Sequence, residues 1–317
     1  MKLGQIYDFF IREGIRADLR SKSEIQEKFR VAQKKYKGLS IIEKKLFDRE
    51  NLKNPYADLR ILYGDQNTEV RRILVGIDIE VGEILLADRL SRREKIDLVL
   101  AHHPEGKALA ALHDVMDLQA DMLAGLGLKK DIAKVLMDNR IKEVARRIHG
   151  GNHTRTVDAA KLIDIPLMCC HTPSDNHVVK YLEAKLRQRK PKTLQDIFNL
   201  LLSEPEYRDA IVNKAGPVIL IGKPKDKAGK VIVDMTGGTE GSRDIFARIS
   251  QAGVNTLLCM HLSEDHFKRV KTEHINVIVA GHIASDNLGM NLLLDKLEKL
   301  DDFECVECSG FRRIKRK

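Results

Sequence analysis

The chain has 317 residues, with 55 Lys/Arg against 46 Asp/Glu, a formal charge of +9, 43% apolar residues and no Trp. That length fits two or three domains of roughly 100–200 residues each, and the composition excludes disordered, collagenous and low-complexity classes. No apolar run approaches the roughly 18 residues of a spanning helix, and MKLGQIYDFFIREG lacks the apolar block of a signal peptide, so a cytoplasmic protein with no membrane partner is expected.

Leu3, Ile6, Phe9 and Phe10 recur on one face and predict an amphipathic helix over 2–13. Residues 23–47 read as a charged helical pair interrupted at Gly38, and 51–68 as a turn-rich boundary. The pattern then alternates. A strand at 72–77 leads to a helix at 81–90, and a strand at 96–101 leads to a long helical stretch, 107–148, broken near Gly125 and Gly127. A helix at 154–162, a strand at 165–170 and helices at 175–187 and 193–202 follow. The second half predicts strands at 217–221, 231–234, 254–260 and 276–280, with helices at 241–251, 264–271 and 284–297. Strands separated by helices predict an α/β fold with largely parallel sheets. The expected divisions are a helical N-terminal segment (1–54), a first α/β lobe with a helical insertion (55–203) and a second α/β lobe (204–317).

Cys169, Cys170 and Cys259 lie in apolar runs and read as small core residues. Cys305 and Cys308 form a lone C-x-x-C; without a second pair it reads as a strand ending with reduced thiols. Residues 1–60 hold 15 Lys/Arg against 9 Asp/Glu, and RQRKPK (187–192) and RRIKRK (312–317) are further basic clusters. No helix-turn-helix, finger or aromatic platform accompanies them. They read as solvated faces and tails rather than as a nucleic-acid interface.

Ligands gather at the carboxyl ends of strands in parallel sheets, and three such ends carry histidine. IDLVLA runs into His102-His103-Pro104, IPLMCC into His171-Thr172-Pro173-Ser174-Asp175-Asn176, and NVIVAG into His282-Ile283-Ala284-Ser285-Asp286-Asn287. The last two share H-x-x-S-D-N, through an internal duplication or through two loops meeting one demand. If Ser174 and Ser285 cap the following helices, Asp175 and Asp286 fall in first turns and fold back toward the histidines. Imidazole with carboxylate suits Zn, Mn, Fe, Co or Ni rather than Ca or Mg. Adjacent side chains of an extended segment point to opposite sides, and Pro104 favours extension at His103. The pair is therefore placed to address two ions, typically about 3.5–4 Å apart, rather than to chelate one. TGGTEGS (236–242) follows a strand and precedes a helix. Gly237, Gly238 and Thr239 are candidates for binding an anion through backbone N–H groups, although the segment lacks a P-loop Lys and a plain turn is the other reading.

HHP after one strand, HTxxD after a later one and GHxxSD before the last long helix, in that order, resemble the Nif-three-like family. These are the dinuclear-metal proteins often named GTP cyclohydrolase 1 type 2. NPYADLRILYGD and RILVGID resemble the family's opening, and the likeness runs over roughly residues 55–300. The resemblance implies a Nif-three-like fold of two α/β lobes, to which the N-terminal helices are an addition. It implies His102, His103, Asp175, His282 and Asp286 as ligands of two divalent metals, with Asp286 in place of the family's usual bridging Glu. It puts His171 behind the ligands or facing substrate, with direct ligation as the lesser alternative. Where the family commonly has T-G-E or T-G-D, this chain has Cys259-Met260-His261, so His261 is a further candidate beside the metals. The implied activity is hydrolysis of a nucleotide, opening the guanine ring of GTP through a metal-bridging hydroxide, in a homohexamer. A non-enzymatic metal-binding or regulatory protein is the alternative.

Overall fold

The structure, a computed structural model, describes residues 1–316. The chain opens with α1 (Leu3–Ala17), α2 (Lys22–Gly38) and α3 (Ile41–Leu46). Ser21 and Ser40 start the second and third, each exchanging bonds with a Glu three residues on, a capping box. Then follow β1 (Leu59–Tyr63), β2 (Arg72–Gly76), α4 (Val81–Ser91), β3 (Leu98–Ala101), α5 (Gly106–Ala110), α6 (Asp117–Gly125), α7 (Lys130–His149), α8 (Arg155–Leu162), β4 (Leu167–Cys170) and α9 (Thr172–Arg189). The rest comprises α10 (Leu194–Leu202), α11 (Pro205–Val212), β5 (Val218–Ile221), β6 (Lys230–Asp234), α12 (Phe246–Gln251), β7 (Val254–Cys259), α13 (Glu264–Thr272), β8 (Asn276–Val279), α14 (His282–Leu297) and β9 (Glu304–Cys308).

The strands form two sheets, ordered β1-β4-β3-β2-β9 and β5-β8-β7-β6. Strands β2, β3 and β4 are parallel, as are β6, β7 and β8. β1 and β5 run antiparallel beside β4 and β8. The first four strands of each sheet thus share one order and one set of orientations, as two copies of one unit would. The two H-x-x-S-D-N motifs follow the equivalent strands β4 and β8, and His103 and His261 each lie two residues beyond the equivalent strands β3 and β7.

Helices α9 and α14 fill the space between the sheets. Met290, Leu293, Leu294 and Leu297 of α14 join α1 and the first sheet in one core. Ala284 and Leu288, with Val178, Val179 and Leu182 of α9, enter the core of the second. Helices α4 and α8 cover the outer face of the first sheet, and α6, α7 and α12 cover that of the second. This sandwich sets the N-termini of the two central helices side by side at the carboxyl ends of β4 and β8.

Several local expectations shift. The turn-rich stretch 51–68 contains strand β1, an edge strand hidden by the Asn, Pro, Asp and Gly around it. The predicted helix 241–251 is a short 3-10 turn, Arg243–Ile245, followed by α12. The unpredicted α11 starts at Pro205, which tolerates the first helical turn because its missing N–H has no partner there. Ser174 and Ser285 are not caps: α9 begins one residue after His171 and α14 one after Gly281, so both serines lie inside their helices. The C-x-x-C lies in β9, which returns to pair with β2 of the first sheet, and all five cysteines are free. Among the described residues no helix is long and apolar enough to cross a membrane.

Candidate metal centre

The ladder of the first sheet continues past β3. The N–H groups of His102 and His103 donate to the carbonyls of Gly76 and Ile77, both at 2.9 Å, so both imidazoles are fixed at the strand end. Because the two helices begin earlier than expected, His171 and Asp175 lie one turn apart at the start of α9, as do His282 and Asp286 in α14, the spacing that puts side chains on one face. Gly281 makes the second entry possible. Its φ is +105°, and a Cβ there would come 2.6 Å from the Ala215 carbonyl oxygen, a conformation and a clearance only Gly meets.

The predicted residues converge. His102, Asp175 and Asp286 each offer an atom within 4.8 Å of the others; so do His103, His282 and Asp286, and so do His102, His103 and His171. Asp286 Oδ1 lies 3.4 Å from His102 Nε2. Its Oδ2 lies 3.5 Å from His103 Nε2 and 3.6 Å from His282 Nε2. Asp175 Oδ1 is 3.5 Å from His102 Nε2, and its Oδ2 is 3.6 Å from His171 Nε2. His171 therefore reaches the cluster itself as well as the groups behind it.

Two carboxylates not singled out in the sequence hold these rings. His171 Nδ1 donates to Asp58 Oδ2 at 3.0 Å, and the same oxygen accepts from the N–H and hydroxyl of Thr172 at 3.2 and 2.6 Å. His103 Nδ1 donates to Asp78 Oδ1 at 2.6 Å. A carboxylate can only accept, so Nδ1 carries the proton in both rings and Nε2 faces the cluster, the arrangement that orients metal-binding imidazoles. Asp78 follows the carboxyl end of β2, a position the sequence displays, whereas Asp58 precedes β1 and carries no strand-end pattern.

Several polar atoms of the cluster have no partner. His102 Nδ1 and Nε2, Asp175 Oδ1 and both oxygens of Asp286 are buried without a hydrogen-bond partner, although buried polar atoms are nearly always paired. Burial pushes His102 down to about 4. It pushes the Asp175 carboxyl well above its usual range, with Asp286 and Asp58 adding to the rise against His171. For His103 burial acts downward, but Asp286 and Asp78 outweigh it and raise the ring to about 10. The same histidines hold Asp286 below the ordinary carboxylate range despite its burial. Unpaired nitrogen and oxygen atoms turned toward one another in a buried site fit a divalent cation, which would supply the partner they lack.

A narrow cleft of ≈ 60 Å³ opens beside the cluster, lined among others by His171, Asp175, His282, Glu240 and His261. The His261 ring centre is 4.9 Å from that of His282, and its Nδ1 is 3.5 Å from Glu240 Oε1. Glu240 also accepts the Ser263 N–H at 2.6 Å. Glu240 is thus a third group that the sequence did not single out. In the glycine segment Gly237 and Gly238 have φ near +92° and +91° and pack against Gln119 and Val115. Gln119 Nε2 donates to the carbonyl of Gly237 at 3.1 Å. The segment is buttressed by the insertion and leads into the 3-10 turn.

The profile of the family described as Duf34/NIF3 (NGG1p interacting factor 3) matches residues 141–311. A NIF3 superfamily protein from Sphaerobacter thermophilus, of known structure, is 28% identical, with a TM-score of 0.70 over 82% of this chain and 93% of that one. Reduced HcgD from Methanocaldococcus jannaschii is 17% identical, with a TM-score of 0.49 over 84% and 95% of the two chains. A protein from Thermus thermophilus is 15% identical, with a TM-score of 0.44 over 78% and 86%. A comparison with proteins of curated function gives no match.

Proposed function

Because the chain belongs to the Duf34/NIF3 family, we propose that the cluster holds two divalent ions and that the protein is a metal-dependent hydrolase acting on a nucleotide, like the proteins named GTP cyclohydrolase 1 type 2. The observation that carries the reading is the division of labour at Asp286, whose Oδ1 faces His102 while Oδ2 faces His103 and His282. An Asp one methylene shorter than the family's Glu can thus address both halves of the cluster, because α14 lies close enough. His102, Asp175 and Asp286 would hold one ion, and His103, His282 and Asp286 the other, with His171 turned to the first. The mixed nitrogen and oxygen set favours Zn, Mn, Fe, Co or Ni. Such ions supply Lewis acidity, lowering the pKa of water from 15.7 toward about 7.

The chain's other residues shape the reaction space. Asp58 and Asp78 keep Nε2 of His171 and His103 turned inward. His261, with Glu240 beside its Nδ1, lies next to His282 on the cleft wall and can hydrogen-bond to a substrate group there. The cavity is far smaller than sites that enclose whole ligands, about 300–1,000 Å³. Only the reacting end of a nucleotide would enter, the rest lying across the open mouth.

Elemental analysis of protein purified without added metal tests the reading. Two ions per chain are expected, and at most one in Asp286→Ala. GTP turnover should accompany the full complement and vanish in His102→Ala. One ion per chain in the wild type would remove the shared-carboxylate reading. Two ions with no turnover of GTP or simple phosphoesters would leave the metal centre and favour the non-enzymatic alternative.

A further inference from the structure

Helices α2 and α3 stand away from the body. Ile25 near the start of α2 is buried, Lys28 Nζ reaches the Pro55 carbonyl oxygen at 3.4 Å, and Glu24 pairs with Lys130 of α7 at 3.2 Å. Beyond that anchor no residue from 31 to 46 is buried. The apolar side chains of this arm nevertheless face solvent: Ile41 is 79% exposed, Ile42 72% and Leu46 81%. Ile42 and Leu46 lie one turn apart, so they share a face, and Ile41 borders it. Large aliphatic side chains grouped at a projecting end mark an interaction surface.

The charge around them is one-sided. Lys34, Lys35, Lys37, Lys44 and Lys45 surround the turn, against the single acid Glu43. Glu43 is folded back onto the helix start, where it accepts the Ser40 N–H at 2.8 Å. None of the five lysines forms a salt bridge among the described residues, and four of them are exposed. The half-buried rings of Tyr36 and Phe47 meet at a tilt across the turn, their centres 5.2 Å apart, with Lys44 over the Tyr36 ring at 5.7 Å.

We propose that this arm docks on an anionic phospholipid surface, with Ile41, Ile42 and Leu46 entering the headgroup boundary and the lysines engaging lipid phosphates and carboxylates. An apolar face rimmed by lysine is what interfacial helices use, and the attraction acts within a Debye length of the membrane. The observations favour lipid over the other occupants. Nucleic acid offers the lysines phosphates but gives three bare aliphatic chains nothing to bury against, and the exposed tip has no aromatic platform for bases. A second copy would set one lysine rim against another, a like-charge contact that opposes association. The contact is with the membrane surface and needs no spanning helix.

Flotation of the full-length protein with vesicles tests this. Vesicles of phosphatidylcholine mixed with phosphatidylserine should carry the protein, while phosphatidylcholine alone should carry much less. Raising salt should weaken the binding. Ile41→Ser/Ile42→Ser/Leu46→Ser should lose at least tenfold in affinity with bound metal unchanged, since the arm lies outside the site. Lys34→Gln/Lys35→Gln, which leaves the apolar face intact, should lose about fivefold per lysine. Wild-type protein that stays unbound on phosphatidylserine vesicles at low salt overturns the proposal. So does binding that both variants retain. Self-association or DNA retention that is sensitive to the same variants, without vesicle binding, reassigns the face to a second copy or to nucleic acid.

Discussion

At Asp58 a single oxygen accepts from His171, from the Thr172 N–H and from the Thr172 hydroxyl. One buried carboxylate therefore fixes both a ring orientation and the first turn of the helix carrying Asp175. Groups of this kind act on metal affinity without touching the metal. Asp58→Asn keeps an acceptor but loses the charge. It should fold, and it should bind metal about 10–100-fold more weakly, measured by competition with a chromophoric chelator. Unchanged affinity would show that the helix start alone orients His171. His102 and Asp286 were readable as candidate ligands because each lies in a short strand-end motif that the sequence displays within a few residues. Asp58 was not, because it lies more than a hundred residues from the ring it holds.

Helices α9 and α14 decide whether two half-sites become one. Each carries a His–Asp pair, and they meet at Gly289, where a Cβ would come 2.5 Å from Ser174 Oγ and 2.7 Å from the Ser174 carbonyl oxygen. Both contacts are too short to exist, and the second is to backbone that cannot rotate away. Gly289→Ala should therefore part the helices. The expected cost is about 1–3 kcal/mol, the range for overpacking a core, read by urea unfolding, together with fewer bound ions. Wild-type stability and metal content in that variant would show that the helices have slack. The periodicity of these helices was legible, but their starts were not. A serine before an acid looks like a cap in one dimension, and here the helix had already begun, just after His171 in α9 and at His282 in α14.

Over the whole molecule the chain closes on itself. Helix α1 packs into the first core, β9 returns to β2, and Phe311 is buried beside them. The tail is held further in, where Arg316 reaches Glu206 at 2.7 Å and Glu204 at 3.4 Å. Glu204 also binds Lys185, and Tyr181 at 2.9 Å, both on α9. Burial alone would raise the Glu204 carboxyl, but Lys185, Tyr181 and Arg316 hold it below its ordinary 4.5. The folded state thus takes up this proton less readily than the unfolded chain. The stabilisation is complete above about pH 4.5 and is lost as pH falls through the lowered folded value. Glu204→Gln should be less stable at pH 7, by about 1–3 kcal/mol, and should lose less further stability on acidification. Equal loss of stability in the two proteins as pH falls from 5 to 2, through the window below 4.5, would show that the charge does not tie the tail.

By itself the sequence determined the alternation of strands and helices and which strand ends bear imidazole and carboxylate. Both follow from side-chain periodicity and from neighbours within a few residues. Only the tertiary structure decided that the second sheet repeats the strand order of the first, that β9 crosses back, and that Asp58, Asp78 and Glu240 stand beside the histidines. It also decided that Asp286 turns one oxygen to His102 and the other to His103 and His282. Those outcomes depend on how two helices pack between two sheets, a long-range balance of buried volume and charge that no local pattern encodes.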